Sequence, residues 1–285
     1  MKKALITGSG GFIGSHLKKV LEKDRVEVIE FSLEKGQQIT NPKDFIKLPK
    51  VDVVFHLAAV SGYKDSKDNP NLAYDVNLNG TVNVLEYCRR AKAKMIFPST
   101  YVYTKPYKEQ KKETDKTGPT TDYAFTKYLG ERLCRFYSRV FKVDTLILRT
   151  SNVYGLGQDS KYIVPIIVDC LMNNKLLELT RPDIERSYIF IDDVIEAYLA
   201  LTKTNTKSGE VYNVGSNKAT TLKDLVKILE KLSGKKLKLS YTGKSRLHDV
   251  PLNRFRVEKI KQKIGWETKI SLEEGLKRYL DTLKN

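Results

Sequence analysis

Short apolar runs alternate with longer stretches of helical periodicity through the first two thirds of the chain. Ala4 to Thr7, Glu27 to Phe31, Val51 to Leu57, Lys94 to Pro98 and Thr145 to Arg149 read as buried strands. They carry apolar residues at consecutive positions, as strands covered on both faces do. Leu78 to Ala91 and Ala124 to Phe141 read as amphipathic helices between them. Strand and helix in strict alternation predict an α/β fold with a doubly wound parallel sheet. After about Gly155 the pattern loosens. A hairpin is expected near Leu176 to Ile191, then two capped helices. Thr221 with Asp224 precedes Leu222, Leu225, Val226, Leu229 and Leu232, and Ser271 with Glu274 precedes Leu276, Tyr279, Leu280 and Leu283.

Composition narrows the class. The 285 residues contain 51 Lys plus Arg against 34 Asp plus Glu, a net charge of +17. The cations are scattered among acids along the whole length, and no arginine-rich or basic-aromatic segment stands out, so nucleic acid is not an expected partner. The field still favours anionic small molecules. No apolar run approaches a membrane span and Met1 leads straight into the first strand, so the expectation is a soluble, cytoplasmic protein with no membrane partner. Cys88, Cys134 and Cys170 are isolated and odd in number, as reduced thiols are, and His16, His56 and His248 form no ligand-spaced cluster with them. No metal site is expected.

The first strand runs into Thr7-Gly-Ser-Gly-Gly-Phe-Ile-Gly14 and a helix follows. Gly8, Gly11 and Gly14, with Phe12 and Ile13 between the last two, allow the backbone to turn tightly and press against a pyrophosphate at the helix N-terminus. A dinucleotide is therefore the expected ligand. An acid ending the second strand usually receives the adenine ribose of NAD, but the position 24 residues after Gly8 is Ser32. Serine does not repel a 2′-phosphate and Lys35 is near enough in sequence to pair with one, so NADP(H) is expected over NAD(H). Glu30 offers an alternative acid for NAD, or a residue that simply faces solvent.

A tyrosine four residues before a lysine on a helix shares its face, and the ammonium then lowers the phenol's pKa toward neutrality. Four pairs in this chain have that spacing: Tyr63/Lys67, Tyr101/Lys105, Tyr107/Lys111 and Tyr123/Lys127. Only Tyr123 opens a long helical pattern and follows, by 24 residues, a strand ending in a hydroxyl residue, Ser99. Ser99, Tyr123 and Lys127 are the expected catalytic group.

Together these segments resemble the extended short-chain dehydrogenase/reductase family, in particular its nucleotide-sugar epimerases, dehydratases and ketoreductases. The resemblance covers nearly the whole chain, through TGSGGFIGSHL, VFHLAA at 54–59, NLNGTVNVLE at 77–86, PSTYVY at 98–103, YAFTK at 123–127, LRTSNVYGLGQ at 148–158 and RSYIFIDDV at 186–194. It implies a Rossmann-type domain over residues 1–155, to which 188–214 returns, and a smaller C-terminal substrate-binding lobe over 156–285. It also implies roles. Ser99 would orient the reacting sugar oxygen, Tyr123 would exchange its proton, and Lys127 would hold the nicotinamide ribose. Gln38, Ile39, Leu57, Ala58, Ala59 and Asn77 would line the cofactor channel. Asn152 and Arg186 would contact a nucleotide-diphosphate sugar, Arg186 and Arg246 at its diphosphate. A salt bridge to Glu185 or Asp183 is the alternative for Arg186.

Departures from the family pattern matter too. The dehydratases carry acids where this chain has Thr100 and Tyr101, so dehydration is not expected. Ser32 and Gln38 replace acids that help retain NAD. The expected activity is therefore NAD(P)H-dependent reduction of a nucleotide-linked 4-keto sugar, with NAD-dependent 4-epimerisation the alternative. A non-catalytic dinucleotide-binding module is the reading from another class, and it has no need of Ser99, Tyr123 and Lys127 together. The family's helix pairing implies a homodimer through Leu72 to Ala91 and Ala124 to Phe141.

Overall fold

The structure is a computed structural model, which describes residues 1–103, 110–243 and 252–283. The first half comprises β1 (Lys3–Thr7), α1 (Phe12–Lys23), β2 (Glu27–Phe31), β3 (Val53–His56), α2 (Tyr63–Asp68), α3 (Pro70–Tyr74), a π turn (Asp75–Asn79), α4 (Gly80–Ala91), β4 (Lys94–Ser99), α5 (Asp122–Phe141) and β5 (Thr145–Thr150). The second half comprises β6 (Asn152–Tyr154), α6 (Ile163–Met172), β7 (Leu176–Leu179), β8 (Glu185–Phe190), α7 (Ile191–Thr202), β9 (Glu210–Val214), β10 (Ala219–Thr221), α8 (Leu222–Ser233), β11 (Lys238–Tyr241), β12 (Leu252–Asn253), α9 (Glu258–Ile264) and α10 (Leu272–Thr282).

Six parallel strands form the main sheet in the order β2-β1-β3-β4-β5-β9. The order reverses beside β1, and in such sheets ligands bind outside the strands' C-terminal ends at that point. Successive residues feed opposite faces. Ala4, Ile6, Val53 and Phe55 join one core with Leu17 and Leu21 of α1, while Leu5, Val54, Met95 and Phe97 join another with Val84 and Leu85 of α4. Both faces being covered explains the unbroken apolar runs.

Three helix starts carry the expected chemistry: Thr121, Thr221 and Ser271 accept from the backbone N–H of Ala124, Asp224 and Glu274 at 3.2, 3.0 and 3.2 Å. The predicted hairpin does not form. β7 pairs with β11, whereas β8 pairs with β6, β10 and β12. The carbonyls of the connecting segment are taken by distant residues, Thr180 by Gly243 and Ile184 by Leu222, so the ladders close on chain that no local pattern reveals. The expected single helix from Leu72 is also interrupted: α3 passes through the π turn before α4 begins. Among the described residues no helix is long and apolar enough to cross a membrane.

Candidate active site

The glycine turn is shaped by close backbone approach. Gly8 has φ +71°, and a Cβ there would lie 2.8 Å from the backbone N of Ala58. At Gly14 a Cβ would stand 2.3 Å from the Gly8 carbonyl oxygen. Gly11 precedes α1 at the capping position and offers no side-chain cap, so the first-turn N–H groups of the helix are left for an anion.

The end of β2 differs from expectation. Ser32 lines the cavity above the turn, and its buried Oγ has no hydrogen-bond partner. Lys35 does not line it; its Nζ lies 3.5 Å from Glu30, which Lys18 also pairs at 2.9 Å. These two ammonium groups hold the Glu30 carboxyl below its ordinary range. Lys35 thus pairs with Glu30 outside the lining of the cavity. Sequence counting missed Glu34, which lines the cavity and whose carboxylate crosses the glycine turn: a Cβ on Gly10 would meet Glu34 Oε1 at 2.8 Å. Its signal was an acid two residues beyond the counted position.

Beneath the turn runs a buried chain of hydrogen bonds. The Ala58 N–H donates to Thr7 Oγ1 at 3.2 Å, Thr7 Oγ1 lies 2.8 Å from His56 Nδ1, and His56 Nε2 lies 3.0 Å from Thr81 Oγ1, which donates to the Asn77 carbonyl at 2.6 Å. Burial, reinforced by the charge on Lys127, lowers the His56 pKa to about 3, so the ring is neutral. Asn77 is not among the cavity's walls. It is buried in the π turn, where Oδ1 accepts from the Val60 N–H at 2.9 Å and Nδ2 donates to Thr126 Oγ1 at 2.9 Å. Nδ2 also donates to the Val60 carbonyl at 3.1 Å, so both of its hydrogens are used and Asn77 supports the channel from behind. Gln38, Ile39, Leu57, Ala58 and Ala59 all line the cavity.

Ser99 ends β4 and Tyr123 lies in the first turn of α5, with Lys127 one turn on; all three line the same cavity. Burial and the neighbouring phenols of Tyr162, Tyr198 and Tyr101 push the Tyr123 phenol above its ordinary value. Burial also lowers the Lys127 ammonium to about 8. The expected depression of the phenol by the lysine is therefore not found in the protein alone. Lys127 Nζ instead lies over the Phe97 ring, 4.2 Å from its centroid. Of the other tyrosine–lysine pairs, Tyr63 and Lys67 stack on each other at 5.6 Å, and Lys105 and Tyr107 lie outside the described residues.

Two further residues surround Ser99. Its Oγ donates to Glu131 Oε1 at 2.6 Å, and Glu131 is held by Arg149 Nε at 2.9 Å and Nη2 at 2.7 Å. Sequence reasoning missed this buried pair, although Glu131 follows Lys127 by one helical turn.

The cavity extends from the glycine turn past Ser99 to Asn152 and Arg186, with a volume of about 1050 Å³. Glu185 is bridged by Arg254 at 2.6 Å and Asp183 by Arg181, while Arg186 Nη1 donates to the Glu185 carbonyl at 2.9 Å. Arg246 lies outside the described residues. The buried Asn152 Oδ1, Ser151 Oγ, Gln158 Oε1 and Tyr188 hydroxyl have no hydrogen-bond partner, and all belong to residues lining this cavity. Orphaned buried polar atoms are costly unless a ligand or water completes them. The uncapped α1, the glycine cradle and these atoms fit an extended, polar, anionic ligand such as a dinucleotide.

A Rossmann-type sheet with this cavity defines an enzyme of the extended short-chain dehydrogenase/reductase type. The chain belongs to the NAD dependent epimerase/dehydratase family, whose family model matches residues 4–215. It is 31% identical, over 99% of this chain and 98% of the other, to a Methanocaldococcus jannaschii protein bearing the name "Putative UDP-glucose 4-epimerase". Among solved structures it resembles UDP-glucose 4-epimerase of Thermotoga maritima with UDP-glucose, with TM-score 0.91, 29% identity and coverage of 99% and 98% of the two chains. It also resembles UDP-glucuronic acid 4-epimerase of Bacillus cereus in complex with UDP-glucuronic acid and NAD, with TM-score 0.92, 28% identity and 99% of each chain covered.

Proposed function

We propose that this chain is a nucleotide-sugar 4-epimerase that retains NAD. The observation that carries the reading is the convergence of Ser99, Tyr123 and Lys127 on one cavity with the glycine cradle and Arg186. The full-length similarity to proteins named as 4-epimerases supports epimerisation over the reduction expected from sequence. That expectation leaned on Ser32 and Lys35. Lys35 is engaged by Glu30, while the Glu34 carboxylate over Gly10 offers hydrogen-bond acceptors to ribose hydroxyls and repels a 2′-phosphate. NAD is therefore the better fit than NADP.

Bound NAD would supply the acceptor and donor of the C4 hydride. Tyr123, once ionised to the phenolate, takes the proton of the sugar's 4-hydroxyl as that carbon is oxidised and returns it when the opposite face is reduced. Lys127 holds the nicotinamide ribose and, as an ammonium, stabilises the phenolate formed on Tyr123. Ser99 holds the reacting oxygen, and Arg186 binds the diphosphate. Neither Thr100 nor Tyr101, both at the cavity wall, supplies the acid that dehydration requires.

Phe136, Val140 and Phe141 of α5 and Leu72 of α3 are exposed, which supports homodimerisation through these helices. The three free thiols support a cytoplasmic location. The test is to denature the purified protein, identify the released dinucleotide, and incubate native enzyme with UDP-glucose, UDP-N-acetylglucosamine and UDP-glucuronate. The reading expects NAD and a C4 epimer of one of them without added reductant. Stoichiometric NAD(P)H oxidation by a 4-keto sugar, with no epimer formed, would overturn it.

A further inference from the structure

We infer that Glu131, clamped by Arg149, sets the direction of the Ser99 hydroxyl, so that Ser99 meets the substrate as a hydrogen-bond acceptor and selects an alcohol at C4 over a ketone. The inference rests on the proposed epimerase reading. It begins in the sheet, where Ser99 and Arg149 are register partners on β4 and β5. Glu131 enters between them from α5, one turn beyond Lys127. All three are almost fully buried, at 5%, 2% and 2% exposure for Ser99, Glu131 and Arg149, so water does not compete for their hydrogen bonds.

The donor and acceptor roles then follow from valence. Arg149 gives N–H groups to both Glu131 oxygens, at 2.9 and 2.7 Å, and this fork stabilises the ionised carboxylate. An ionised carboxylate only accepts. The contact of 2.6 Å between Ser99 Oγ and Glu131 Oε1 therefore uses the single hydroxyl proton of Ser99. What Ser99 turns toward the cavity is its lone pairs. A sugar hydroxyl satisfies them by donating, whereas a ketone oxygen, itself an acceptor, meets them unfavourably until Ser99 releases Glu131.

Arg149 cannot readily swing aside to free the carboxylate. Its Nη1 donates to the Glu113 carbonyl at 3.2 Å and its guanidinium lies 4.8 Å from the centre of the Tyr103 ring. Glu131 does not line the cavity, so it is a positioning residue and acts through Ser99.

The test is a double-mutant cycle with Ser99→Ala, Glu131→Gln and the double variant, reading kcat and KM for epimerisation. Binding of a 4-hydroxy and a 4-keto nucleotide sugar to each protein is measured alongside. Glu131→Gln is expected to lower kcat about 10-fold or more when Ser99 is present and less than about 2-fold in the Ser99→Ala background. It should also shift the binding ratio toward the 4-keto sugar. Equal losses in both backgrounds, with the ratio unmoved, would overturn the inference and leave a purely structural ion pair. If Glu131→Gln does not fold, the same cycle is run with Glu131→Asp, which keeps the charge but shortens the reach to Ser99, and the same two outcomes decide. A wild-type enzyme that forms no epimer would instead refute the reading on which the inference rests.

Discussion

The buried ammonium of Lys127 is held at the expense of the fold, and the magnitude can be worked out. Burial lowers its pKa from 10.5 to about 8 in the cofactor-free protein. A gap of roughly 2.5 pK units at about 1.4 kcal/mol each amounts to about 3 kcal/mol. Below pH 8 both folded and unfolded chains carry the proton, so the folded chain bears the whole cost of the buried ammonium. Between pH 8 and 10.5 the unfolded chain binds more protons, and stability rises with pH. Lys127→Met removes the charge and keeps most of the volume. It should therefore abolish epimerisation and yet raise the melting temperature of the cofactor-free protein at pH 7 by about 6 °C, at roughly 2 °C per kcal/mol. The assay is thermal melting of both proteins at intervals from pH 7 to 10.5. The advantage of the variant should shrink steadily above pH 8. A variant no more stable than wild type at pH 7, or a difference independent of pH, would refute the reasoning.

Other expectations concern neighbouring groups. Tyr123→Phe should lower kcat by about 100-fold or more, as losing a general acid–base does, while NAD binding measured by calorimetry stays within about 3-fold. Glu34→Gln should move the NAD-to-NADP affinity ratio toward NADP by about 10-fold, as read by competition binding; an unchanged ratio removes Glu34 from cofactor choice. Gly130→Ala would set a Cβ 2.4 Å from Phe97 Cζ, and overpacking of this kind costs about 1–3 kcal/mol. Its melting point should fall by several degrees, and a neutral result would show that Phe97 yields freely.

The parallel sheet was legible because strands buried on both faces, such as Ala4 to Thr7 and Thr145 to Arg149, announce themselves as apolar runs, and the glycine turn carries its backbone demands in three residues. The meeting of Ser99, Tyr123 and Lys127 in one cavity was legible from spacing in context. What stayed hidden depends on contacts between distant segments. Ser99 and Arg149 meet through strand register, and Glu131 joins them only when α5 packs over that pair. Lys35 sits near Ser32 in sequence, but Glu30, on the preceding strand, claims it. Glu34 escaped because a count from Gly8 assumes a fixed strand ending, whereas the short helical turn at Leu33–Lys35 brings a later side chain back over Gly10. The hairpin failed for the same reason, since both of its intended strands found partners from segments far from their own connecting turn.

The central claim is that one enzyme-held cofactor removes the C4 hydride and gives it back to the other face of the same sugar. The direct measurement uses a UDP-hexose deuterated at C4, followed by NMR with purified enzyme and no added reductant. The account predicts that the C4 epimer appears with deuterium still at C4 and with no free reduced cofactor accumulating. Deuterium delivered to free NADH or NADPH in step with formation of a 4-keto sugar, with no epimer, would contradict it.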